Sequence, residues 1–162
     1  MKITDIKTRL VHLDFRNCIL VSVETDEGIT GVSETVMKRK TLTIEQSILQ
    51  LRPYLIGKDP TDIEDHWEKL YRHSFWVGGP MHMTSISAVD CALWDIMGKW
   101  LGVPVYKLLG GPTRRQIPVY CHCPAVRAPN NSRRTSRPAW LEVSRASKPH
   151  CPSSMERTVR VK

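Results

Sequence analysis

The chain has 162 residues, enough for one ordinary domain, and a formal net charge of +8 at neutral pH. That charge is not spread evenly: residues 1–123 carry 15 Lys and Arg against 14 Asp and Glu, whereas residues 124–162 carry 9 against 2. No stretch approaches the roughly 20 apolar residues of a membrane-spanning helix, and the amino terminus lacks a secretory signal core, so a cytoplasmic, non-membrane protein is expected.

Residues 2–13 have strand content, and residues 18–24 follow a polar break at Asp14–Asn17. Thr25-Asp26-Glu27-Gly28 supplies turn chemistry, with Gly28 free to take positive φ, and residues 29–35 form the return strand. A three-stranded antiparallel meander is expected. Helical patterns take over next. Thr43 with Gln46 fits a capping box opening a helix to about Leu55, with Pro53 tightening or ending it. Thr61 with Glu64 repeats the pattern before Ile63, Trp67, Leu70 and Tyr71, which share one face.

A Gly78-Gly79-Pro80 break precedes the longest helix, expected from about Met81 to Leu101. Ile86, Val89, Leu93, Ile96, Met97 and Trp100 recur along it at three- and four-residue steps, making Trp100, like Trp67 and Trp94, a core candidate. Gly102 stops it, Pro104 starts a short helix ending at Gly110-Gly111, and Ile117–Cys123 reads as a new strand. The fold class is α+β: a three-stranded antiparallel meander followed by a three-helix bundle. The expected domain occupies 1–116, a strand start 117–123, and a basic, disordered tail 124–162, where five prolines forbid a long helix.

Five cysteines, an odd number, argue against a disulfide framework. Cys121-His122-Cys123 is spaced too tightly for an ordinary zinc site. Asp90 and Asp95 lie about 140° apart on the long helix and do not converge, whereas Asp95 and Lys99 form an acid-first i,i+4 pair, which favours a structural role. His12, His66 and His73 have no recognisable partners, and His82 reads as an exposed polar group. Nucleic-acid binding through Arg133-Arg134 and the rest of the tail is disfavoured, because Trp140 is the tail's one aromatic.

Residues 86–111, from Ile86-Ser87-Ala88-Val89-Asp90 through Trp94-Asp95-Ile96-Met97-Gly98-Lys99 to Leu109-Gly110-Gly111, resemble the amino-terminal capping domain of the mandelate racemase/muconate lactonizing branch of the enolase superfamily. Val23-Glu24-Thr25-Asp26-Glu27-Gly28-Ile29-Thr30-Gly31 and Tyr54-Leu55-Ile56-Gly57-Lys58-Asp59-Pro60 support it, and the resemblance spans essentially residues 1–123. Arg16-Asn17, Trp76 with Gly79-Pro80, and Val119-Tyr120-Cys121-His122 are most similar to acid-sugar dehydratases of the mannonate and galactonate type.

The resemblance implies a cap closing over a (β/α)-barrel, where carboxylates hold Mg²⁺ and an acid sugar loses the proton α to its carboxylate and then a β-hydroxyl. The sequence contains no such barrel, so an inactive amino-terminal fragment is expected, binding no metal itself and prone to self-association. A racemase or cycloisomerase of the same superfamily, or a basic-tail binding protein, are the alternatives. The substrate contacts implied for the intact parent are Lys38, Arg39, His122, Arg16 and Trp76. Lys38 departs from the residues that either dehydratase type carries near it, so the sugar stays unassigned. One frame over, codons compatible with the tail restore a Thr-Pro-Glu-Gln-Phe-like helix start and a Gly-Phe-Lys-Ala-like turn. A frameshift near Pro124 is therefore expected, with residues 124–162 read out of frame.

Overall fold

The structure, a computed structural model, describes residues 1–13, 16–114, 116–119 and 157–160. The chain divides into two units, Met1–Gly111 and Pro112–Lys162. The first holds strands β1 (Ile3–Leu13), β2 (Arg16–Thr25) and β3 (Thr30–Thr35) and helices α1 (Thr41–Gln50), α2 (Arg52–Leu55), α3 (Ile63–Arg72), α4 (Gly79–Leu101) and α5 (Val105–Leu108). The described part of the second is an antiparallel pair, β4 (Gln116–Val119) with β5 (Arg157–Arg160). The expectation of a tail without regular structure does not extend to that last strand. The remaining tail residues, and all of 117–123 beyond Val119, lie outside the described residues.

The meander is antiparallel in the order β1-β2-β3, with Leu13 opposite Arg16 and Ile19 opposite Thr35. Period-2 alternation sends Ile6, Ile19, Val21 and Val23 into the core, where they meet Ile44, Ile48, Ile86, Val89, Leu93 and Ile96 from the helices. Gly28, at φ 80°, turns the second hairpin, its N–H donating to the Thr25 carbonyl. Gly31 lets β3 press onto α4: a Cβ there would stand 2.1 Å from the Ala92 carbonyl oxygen.

The open edge of β3 is closed by α4. Asp95 accepts from the Val32 N–H at 2.8 Å, and Lys99 donates to the Thr30 carbonyl at 2.7 Å and to Asp95 at 2.6 Å. The i,i+4 pair is thus a cover for backbone groups that an edge strand leaves unpaired. Helix α4 ends in a Schellman arrangement: Gly102 sits at φ 68°, and the Val103 N–H reaches the Gly98 carbonyl at 3.0 Å.

Both expected capping boxes are corrected. Helix α1 begins at Thr41, with the Lys40 backbone in the cap position, so Thr43 is inside the helix and caps nothing. Before α3 the Thr61 N–H and hydroxyl both donate to Asp59, a local turn that competes with capping, and Asp62 takes the cap position. Trp100 is also corrected: it is 52% exposed, because the apolar stripe of α4 turns away from the core in the last turn. Trp67 and Trp94 pack against the core as expected.

Candidate functional site

Strand register decides where the expected contacts stand. The paired residues Leu13 and Arg16 lie at one end of the sheet, and the pairing of Ile19 with Thr35 brings the carboxy-terminal end of β3 to that same end. Arg16 therefore shares an end of the domain with the loop carrying Lys38 and Arg39. Contacts between β3 and α4 run in opposite chain directions, from Lys99 with Thr30 to the Ala88 carbonyl with the Ser33 hydroxyl. The start of α4, and the Ser74–Gly78 segment before it, consequently face that end too.

Lys38 and Arg39 are exposed. They form the centre of a turn closed by the Lys40 N–H on the Met37 carbonyl at 3.1 Å, and Arg39 has φ 64°. A non-glycine side chain in that left-handed region costs about 1–2 kcal/mol. Trp76 is 82% exposed, edge-on to Phe75 with ring centroids 5.1 Å apart, and Phe75 is itself 89% exposed. Gly78 and Gly79, both at positive φ, carry the chain from this aromatic tip into α4. Sequence reasoning missed Phe75, although its adjacency to Trp76 ahead of two glycines was the available signal. His122 and Cys121-His122-Cys123 lie outside the described residues.

Arg16 stands beside a buried thiol. Cys18 is pushed above the ordinary cysteine range by its hydrogen bond to the Glu34 carboxylate, then by burial and the Glu34 charge, while Arg16 works against the rise. This makes Cys18 a poor nucleophile. Asp90 is likewise raised, by burial first and then by the Glu64 charge.

The histidines have partners after all. His66 is buried, with Nε2 2.6 Å from the Asp59 carbonyl, and His12 Nδ1 lies 2.6 Å from the Asn17 side-chain oxygen. His73 and His82 stack at 5.2 Å, with Tyr54 edge-on to His73 at 4.9 Å, so His82 is half-buried and not a free surface group. Among the described residues no three His, Cys, Asp or Glu side chains could hold a metal ion together. The described residues do not fit a magnesium site. No helix among them is long and apolar enough to cross a membrane.

Residues 4–110 match the family described as mandelate racemase / muconate lactonizing enzyme, N-terminal domain. The chain belongs to that family. Its three strands followed by helices are the family's N-terminal fold, as the sequence resemblance implied. It is 48% identical over 120 residues to a D-galactonate dehydratase of Pectobacterium atrosepticum, covering 74% of this chain and 31% of that protein. Against a D-mannonate dehydratase of Caulobacter vibrioides it is 46% identical over 124 residues, or 75% and 30% of the two chains. A crystal structure of an enolase from Pantoea ananatis with bound D-gluconate and Mg aligns with a TM-score of 0.69 at 39% identity, over 72% of this chain and 29% of that one. The chain thus spans under a third of the length of the curated relatives it matches.

Proposed function

We propose that residues 1–116 are the capping part of an acid-sugar dehydratase, in which the end of the domain bearing Arg16, Lys38, Arg39 and Trp76 covers the substrate. Similarity of 46–48% to dehydratases of two sugar acids carries this assignment. Two adjacent cations on one turn suit a carboxylate, with Arg39 offering a fork of donors and Lys38 a point charge. An exposed indole beside a second ring offers an apolar face to the carbon side of a sugar. His122 completes the proposed set from its position in the sequence.

In the intact enzyme a base removes the proton α to the carboxylate and an acid expels the β-hydroxyl, leaving a 2-keto-3-deoxy acid. The described residues bring no such base and acid together, so this part contributes binding and exclusion of water. The chain alone is expected to be inactive. Magnesium chemistry is assigned to the rest of the intact enzyme. A racemase or cycloisomerase of the same family remains the alternative, because a fold does not fix its chemistry. Exposed Leu42, Phe75, Trp76 and Val77 give this domain apolar surface that favours self-association.

Replacing Lys38 and Arg39 together with Ala in the intact enzyme is expected to raise KM for the sugar acid about tenfold, with kcat changed much less. An unchanged KM would remove both from the site. Residues 124–162 are proposed to be an out-of-frame translation, supported by relatives whose similarity spans 120–124 of the 162 residues. The nucleotide sequence across Pro124, read in three frames, tests this. Family-like sequence in another frame supports it, and a single clean frame without it refutes it.

A further inference from the structure

The face of the sheet turned away from the helices is largely polar, with Lys7, Arg9, Ser22, Glu24 and Glu34 on it, but two apolar side chains stand among them. It holds a concavity of about 610 Å³. Leu20 and Val32 stand in it 43% and 56% exposed. Cross-strand register puts Arg9 opposite Leu20 and Leu20 opposite Glu34, so one row reads cation, apolar, anion from β1 through the central strand to β3. Among the described residues the Arg9 guanidinium makes no ion pair or hydrogen bond, whereas neighbouring Lys7 is held by Glu24 at 2.7 Å. Glu34 accepts the Cys18 thiol and is itself exposed.

A row of this kind is complementary to itself. When two such faces meet about a two-fold axis parallel to β2, β1 of one copy lies over β3 of the other. Each Arg9 then faces the second copy's Glu34, the two Leu20 side chains meet at the axis, and the stem of Lys7 lies over Val32. We propose that the outer sheet face, centred on Leu20, is a docking surface for a second copy of this chain, with the two Arg9–Glu34 pairs setting its register. The proposal stands independently of the capping role, and the surface is separate from the apolar residues around Trp76.

Three strands about 4.8 Å apart and roughly 25 Å long offer on the order of 350 Å² per copy. A standard interface has about 800 Å² per partner, so weak association is expected. Sedimentation equilibrium of the full chain, with Arg9→Glu, Glu34→Arg and the double exchange, tests it. A dimer is expected that each single reversal weakens at least about tenfold and that the double exchange restores to within about threefold. A monomer throughout, association indifferent to the single reversals, or a double exchange that restores nothing would each overturn the proposal. Far-ultraviolet circular dichroism confirms that the variants compared are folded.

Discussion

Arg39 holds a backbone conformation that glycine would hold without strain. Arg39→Gly is therefore expected to stabilise the domain by about 0.5–1 kcal/mol in urea unfolding, while removing a cation proposed to meet the substrate. Stability gained together with affinity lost would show that the strain is retained for placement of the side chain. Asp90 gives a second prediction with a pH signature. Its folded pKa is raised, chiefly by burial, so the folded chain keeps this proton to higher pH than the unfolded chain. Its contribution to stability consequently falls as pH rises from the ordinary carboxylate value through the raised one. Asp90→Asn is expected to raise Tm at pH 7 and to leave it almost unchanged at pH 3, as differential scanning calorimetry would show. A Tm at pH 7 no higher than that of the parent chain would contradict it.

The contact between β3 and α4 places the loops, and two substitutions probe it. Gly31→Ala would drive a Cβ into the Ala92 carbonyl and the Ile96 side chain, so a loss of about 2–3 kcal/mol is expected. Asp95→Ala leaves the Val32 N–H without its acceptor and Lys99 with the Thr30 carbonyl but no ion pair, at a cost of about 1 kcal/mol because that edge is partly open to water. Much of this was legible in the sequence. The Asp-Glu-Gly turn, the stripe along α4 and the Gly102 stop each depend on local chemistry, and each stands where the pattern put it. The helix starts did not, because Asp59 captured Thr61 and the Lys40 backbone served where a Thr43 side chain was expected. What Asp95 and Lys99 cover, and which rings His73 and His82 meet, depends on residues 9 to 69 positions away in sequence, beyond any local pattern. The proposed site was legible only as residue types in a family-like order; the placing of Arg16, Lys38 and Arg39 at one end comes from strand register.

At the scale of the molecule, one end of the domain gathers exposed cations and exposed aromatics, while the core lies between the sheet and the helices packed on it. Such a division suits a part whose work is to cover and select a substrate rather than to transform it. The proposed class of substrate is that of the dehydratase relatives, and the departure at Lys38 leaves the choice among sugar acids to experiment. The most direct measurement replaces the corresponding amino-terminal domain of the Pectobacterium atrosepticum D-galactonate dehydratase with residues 1–116 of this chain. It then compares kcat/KM on D-galactonate and D-mannonate, with and without Lys38 and Arg39. The expected result is a folded chimera that dehydrates at least one of the two acids, with KM rising about tenfold when both cations are removed. A folded chimera inactive on both acids, or one whose KM ignores the two cations, would contradict the proposed role.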